Sequence, residues 1–218
     1  MNALEKGGGI VEMVNKIGVI LFLLLVAACG DIGGVGQCGG ATETGGCLRI
    51  ESIVPAYNDK DTSSVDVIQD ICNAFEVQTT PGTKPTVEKF TDHSAKLVIT
   101  NRPLPGIQIT DITDVTLDRF AITYRNNRCP VGACPKISEL YVDPGKTIVI
   151  RANAEVTFTL PFFPLSSKFE YEKSGGPLSD FPFYTATYTL TGTDAYKNPV
   201  SVVGSTEFTI GNYDYCSS

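Results

Sequence analysis

The chain has no tryptophan and a single histidine, His93, in 218 residues. One imidazole cannot build a histidine-rich metal site. Zinc sites otherwise want cysteines at CxxC-type spacing, and no CxxC occurs here. The same absence removes the thiol-oxidoreductase motif and the CxxCH attachment of haem. There is no dense Lys/Arg run, and the net charge is −7. Without a basic face to neutralise phosphates, nucleic acid is excluded as a partner. No nucleophile elbow and no motif pairing two carboxylates is present, so the expectation is a chain that is not an enzyme and carries no cofactor. The uncharged apolar run Ile17–Ala28 falls short of the roughly 20 residues a bilayer span needs.

What is there is apolar: 42% hydrophobic against 19% charged residues. That is ample for a core and too apolar for a disordered chain. The length suits one domain, or one domain with a small appendage.

The run "IGVILFLLLVAA" follows Lys16 and ends at Cys29, which fits the h-region of a secretory signal peptide with its positive flank. Its end, Val26-Ala27-Ala28-Cys29, resembles the lipobox of bacterial lipoproteins: an aliphatic residue, two small residues, then cysteine. The resemblance implies that 1–28 is removed, that Cys29 becomes the first residue of the mature chain, and that its thiol and amino group are acylated. Two or more acyl chains give stable anchoring where one does not. The upstream "MNALEKGGGIVE" carries Glu5 and Glu12, unusual for such a flank, so Met13 is the expected start. Gly30 follows the cysteine directly and Asp31 comes one later. That order favours outer-membrane over inner-membrane placement in diderm cells.

Removing Cys29 from the seven cysteines leaves an even set: Cys38, Cys47, Cys72, Cys129, Cys134 and Cys216. In an exported protein this fits three disulfides, with fifteen connectivities open. Local spacing suggests one of them. Cys129 and Cys134 flank the turn-forming "PVGA", Cys38 and Cys47 bracket "GGATETGG", and Cys72 is left with Cys216.

Residues 29–47 read as a Gly-rich tether, 48–84 as a short N-terminal β segment, and 85–218 as the main domain. A turn-rich joint, "TTPGTKP", lies near the boundary. "LRIESIV", "AKLVIT" and "VTLDRFAITYRN" read as strands, and "VDVIQDIC" is favoured as one. "TIVIRANAEVTFTL" is one long bent strand or two meeting at Ala152-Asn153. In "YTATYTLTG" the threonines at 185, 187, 189 and 191 face water while Ala186, Tyr188 and Leu190 face in. "VSVVGSTEFTI" runs back, with Gly204 expected at a bulge or bend. Short strands with close turn signals give an all-β sandwich. The segment "YTATYTLTGTDAYKNPVSVVGSTEFTIGNY" resembles the last two strands of immunoglobulin-like domains of bacterial envelope proteins. The resemblance implies an immunoglobulin-like β-sandwich, stapled by the disulfides. The chain departs from antibody domains in lacking a core tryptophan.

Chemistry-bearing residues are few. Asp59, Asp61 and Asp70 occupy calcium-loop positions without the central glycine or flanking helices, and form the one weak metal candidate. His93 reads as structural or solvated. Sugar platforms would fall to Tyr171, Tyr184, Tyr213 and Tyr215. The Phe/Pro-rich stretch 161–183 reads as a long connection whose phenylalanines plug the end of the core. The resulting expectation is a lipid-anchored envelope protein with a non-catalytic adhesion, structural or assembly role and an envelope protein as partner. The alternative is a carbohydrate- or calcium-dependent binding module of a surface system, and an envelope hydrolase is a third reading.

Overall fold

Two antiparallel-rich sheets pack face to face in the computed structural model. It describes residues 38, 40–41, 46–104, 112–129, 134–142, 147–179, 181–213 and 215–216, all within the compact unit Gly33–Ser218. Cys29, the leader 1–28 and most of the expected tether lie outside the described residues.

The first sheet runs β1–β2–β5–β9, with β3 paired to β2. Its strands are β1 (Gly40–Ala41), β2 (Gly46–Tyr57), β3 (Lys60–Asp61), β5 (His93–Pro103) and β9 (Glu155–Phe163). The second runs β4–β11–β10–β6–β7, with β8 also on β6. Its strands are β4 (Ser64–Asp66), β6 (Val115–Arg128), β7 (Leu140–Val142), β8 (Ile148–Ile150), β10 (Phe183–Asp194) and β11 (Pro199–Gly211). Two short helices, α1 (Ala74–Thr79) and α2 (Leu165–Lys173), lie outside the sheets.

Alternation decides which side chains face in. β10 alternates intermediate and buried positions along its whole length, with Ala186, Tyr188 and Leu190 inward as expected. In β2 the period slips: Leu48 and Ile50 are buried, then Ile53, because a register shift against β5 falls between Ile50 and Ser52. The extra residue keeps both apolar sets on the core side, which is what a β-bulge does. Gly204 holds no such bulge, contrary to expectation. It pairs in register with Tyr188, and a Cβ there would meet Ile50 Cδ1 at 2.9 Å. The glycine lets the two sheets approach.

Two tyrosine hydroxyls peg the sheets together. Tyr188 donates to the Pro161 carbonyl (2.8 Å) and Tyr124 to the Phe162 carbonyl (2.5 Å). Around them Phe162, Phe163 and Phe208 close the core edge-on, with Phe162–Phe208 centroids 5.0 Å apart. Burying each such ring is worth about 1.5–3 kcal/mol.

Several expectations are corrected. Segment 48–84 is not separate, because β2 sits between β1 and β5 and β4 pairs with β11. "VDVIQDIC" yields only the three-residue β4, after which the chain makes one isolated bridge, Ile71 to Val87. "PAY" belongs to β2, not to a loop. "TIVIRANAEVTFTL" is two strands in different sheets, turned at Asn153, whose φ is 58°. The stretch 161–183 starts as the end of β9 and continues as α2, rather than as a bare connection. Phe162 and Phe163 plug the core, whereas Phe169 and Phe181 are exposed.

Candidate functional site

At the Tyr57 end of β2 the chain buries groups that do not belong in an apolar core. Asp66, Glu88, His93 and Lys168 are each at most 3% exposed. They reach one place from four elements. Asp66 ends β4 and His93 begins β5. Glu88 lies on the segment bridged to Asp70, donating its N–H to the Asp70 carbonyl. Lys168 sits in the first turn of α2, whose start is fixed where Leu165 N–H donates to Asp92 Oδ1 at 2.7 Å. Ser167, Lys168 and Tyr171 form the buried face of that helix.

Tyr57 is the hub. Its ring stacks on His93 (4.4 Å, 21°), tilts against Tyr215 (4.8 Å) and lies 4.9 Å from the Lys168 ammonium. The same ammonium sits 4.1 Å from the Phe90 ring. Its hydroxyl donates to the Lys89 carbonyl.

The two carboxylates hold the backbone at Tyr213 and Tyr215. Asp66 Oδ1 accepts the N–H of Tyr213 (3.1 Å), and Glu88 Oε1 accepts that of Tyr215 (3.1 Å). Glu88 Oε2 also takes the Asp70 N–H (3.3 Å). The Tyr215 hydroxyl donates to the Ser64 carbonyl (3.0 Å), and the Cys72–Cys216 disulfide follows at the next residue.

What remains unsatisfied is specific. Lys168 Nζ, both His93 ring nitrogens and Asp66 Oδ2 are buried without a hydrogen-bond partner. Each such group costs about 1–3 kcal/mol, more when charged. The electrostatics follow. Burial pushes the Asp66 carboxyl up to about 6 against the pull of the Tyr213 and Ile68 N–H groups. Burial lowers the Lys168 ammonium to about 8, opposed by Asp66, Glu88 and Asp92. Burial, with Lys168 adding to it, takes His93 down to about 3. At neutral pH the cluster therefore holds a neutral imidazole beside a reluctant cation.

Just outside, an open cleft of about 470 Å³ is lined by Gln69, Asp70, Ile71, Cys72, Ala74 and Cys216. Around it Ile71, Phe75 and Val87 are 47%, 77% and 51% exposed, and α1 buries none of its residues.

All three disulfides join the pairs that spacing suggests: Cys38–Cys47, Cys72–Cys216 and Cys129–Cys134. The acidic loop does not assemble. Asp59 and Asp61 stand at the β2–β3 hairpin, exposed, while Asp70 lies beside Glu88, and among the described residues no three His, Cys, Asp or Glu side chains converge on a metal position. Tyr171 and Tyr184 are 1% exposed and cannot be sugar platforms; Tyr213 and Tyr215 are half-buried where Asp66 and Glu88 hold them. His93 is structural in position, entirely buried against Tyr57. Sequence reasoning missed Tyr57, Asp66, Glu88 and Lys168. The one signal for Lys168 is its setting in "PFFPLSSKFEY", a lone cation among aromatics.

No family model, no curated protein and no solved structure matches the chain. Among the described residues, no helix is long and apolar enough to cross a membrane.

Proposed function

We propose that this chain is a lipid-anchored protein of the cell envelope, held through Cys29 in the outer membrane, whose sandwich is a non-catalytic adhesion or assembly module. The observation that carries the exported reading is the disulfide frame. Six cysteines pair off completely, as chains do in oxidising compartments, and only Cys29 is left for acylation. Cys38–Cys47 fastens the chain at the start of β2. The buried cluster and the exposed Ile71, Phe75 and Val87 stand at the other end. Twelve residues of strand separate the two ends by roughly 35–37 Å.

An immunoglobulin-like classification is part of this reading. The first sheet orders its long strands β2–β5–β9, and the second β11–β10–β6. With β2, β5 and β6 as A, B and C, β7 as C′ beside β6, and β9, β10 and β11 as E, F and G, the sheets read A–B–E and G–F–C–C′, in keeping with immunoglobulin sheets. Fold alone names no activity.

The membrane half is tested by fractionation. Cys29→Ala should move the protein from the membrane to the soluble envelope fraction, and unchanged membrane retention contradicts the anchor. The binding half is tested by cross-linking on intact cells. A specific cross-linked partner lost in Phe75→Asp, with melting temperature unchanged, supports the module; no adduct with either form argues against it.

A further inference from the structure

The strongest unexplained arrangement is the Cys72–Cys216 bond with what it covers. This disulfide lines the open cleft, whereas Cys47 of the first pair is 2% exposed. Next to it Tyr213 and Tyr215 are tied to the body by several contacts, among them their N–H groups on Asp66 and Glu88, the Tyr215 hydroxyl on Ser64, the Tyr215 ring on Tyr57, and Tyr213 stacked on Phe181 (5.1 Å) and hydrogen-bonded to Thr209 (2.6 Å). β11 ends at Gly211, ahead of Cys216, so the bond lies outside the strand pairing of the sheet. Beside the carboxylates that hold these tyrosines are unpartnered buried groups that water would satisfy, Asp66 Oδ2 itself and Lys168 Nζ, whose ammonium lies on the far side of the Tyr57 ring contact with Tyr215.

We propose that Cys72–Cys216 is a thiol-exchange site: a thiolate entering the cleft opens the bond, Tyr213 and Tyr215 lift from Asp66 and Glu88, and the Lys168 amine becomes reachable. The attacking thiolate forms a bond to one cysteine sulfur, and the sulfur–sulfur bond breaks, releasing the other cysteine as thiolate. A second thiol then attacks the mixed disulfide. Both cysteines end as thiols and the reductant as its disulfide, with two electrons and the accompanying protons supplied by a dithiol or by two monothiols. Apolar lips at Ile71, Ala74 and Phe75 suit approach by a protein or small-molecule thiol, and the chemistry is shared by both.

The test uses the full chain under native conditions, with differential alkylation of cysteines and amine labelling of lysines read in one mass-spectrometric experiment. Dithiothreitol stands for dithiols and glutathione for monothiols. Lys60 and Lys96 are exposed references. The expected result is alkylation of Cys72 and Cys216 together with at least a tenfold rise in Lys168 labelling, while thermal unfolding stays cooperative. A trapped glutathionyl adduct on either cysteine assigns the site to small thiols as well, and opening by dithiothreitol alone assigns it to dithiols. The double variant Cys72→Ser/Cys216→Ser should label Lys168 without reductant. If the pair opens and Lys168 stays unlabelled, or if the pair yields only once the domain unfolds, the proposal is overturned; the wild-type arm decides even if the variant does not fold.

Discussion

The buried cluster gives each of its groups a different pH signature. Asp66 has a folded value of about 6 against an ordinary 3.8. The folded state binds that proton more tightly than the unfolded chain, so its contribution is full below about pH 4 and lost as pH rises through about 6. His93 runs the other way. Its folded value of about 3 lies below 6.5, so its contribution is full above 6.5 and lost as pH falls toward 3. Lys168, at about 8 against 10.5, contributes fully only above its ordinary value and loses stability as pH falls through 8. Glu88 and Lys168 face Asp66 across the cluster. Asp66→Asn keeps an oxygen for the Tyr213 and Ile68 N–H groups and removes the titration. Its stability relative to wild type should rise by roughly 2 kcal/mol between pH 4 and pH 7.5 in denaturant unfolding; a difference flat across that range would contradict the account. His93→Phe keeps the stack on Tyr57 and removes two unpartnered nitrogens. It should be neutral to about 1 kcal/mol stabilising at pH 7, and more so at pH 5. Of this cluster only His93 stands out from sequence, as structural or solvated, and its partners do not. Its members stand at 57, 66, 88, 93 and 168, and no spacing rule joins residues so far apart. Lys168 lies on a nine-residue helix too weakly amphipathic to announce a buried face.

At the scale of elements, legibility tracked how local the determinants are. The β10–β11 hairpin could be read outright. Its threonine alternation sets the faces, and Asp194 builds the turn by accepting the N–H groups of Tyr196 and Asn198, both at 2.9 Å. The switch of sheets at Asn153 was readable only as one of two options, because the same alternating pattern continues on both sides. Gly204 was misread because a glycine within a strand signals a bulge or a close approach, and only the opposite sheet tells them apart. Two substitutions separate such roles. At Gly192 a Cβ would fall 1.9 Å from the Thr116 carbonyl oxygen of the neighbouring strand. Gly192→Ala should therefore cost about 3 kcal/mol or more, whereas Gly204→Ala, which meets the Ile50 side chain at 2.9–3.2 Å rather than a backbone oxygen, should cost about 1–2 kcal/mol. Chemical denaturation of the two variants checks the order, and equal costs would contradict it.

For the molecule as a whole, the disulfides set the scale of stability. Cys72–Cys216 spans 144 residues and Cys129–Cys134 only 5. In the chain-entropy picture these constrain the unfolded chain by about 5 and about 2 kcal/mol. Replacing the first pair with serine should lower the melting temperature well beyond the second, and the reverse order would contradict the assignment of the long link as the principal staple. The even cysteine set and its pairing could be read from spacing because two of the three loops are short and turn-rich. The two-sheet architecture followed from strand patterning alone. How the ends of the sandwich are used depends on surfaces assembled from distant segments, which patterning does not reach.

The central claim is that Cys29 is chemically unlike the other six cysteines, lipidated and anchoring where they pair. Intact mass of the protein extracted from membranes tests it most directly. The account predicts a chain beginning at Cys29, heavier than its sequence by its acyl groups, and lighter by six hydrogens for three disulfides. An unacylated mass, or a chain still carrying residues 1–28, would contradict it.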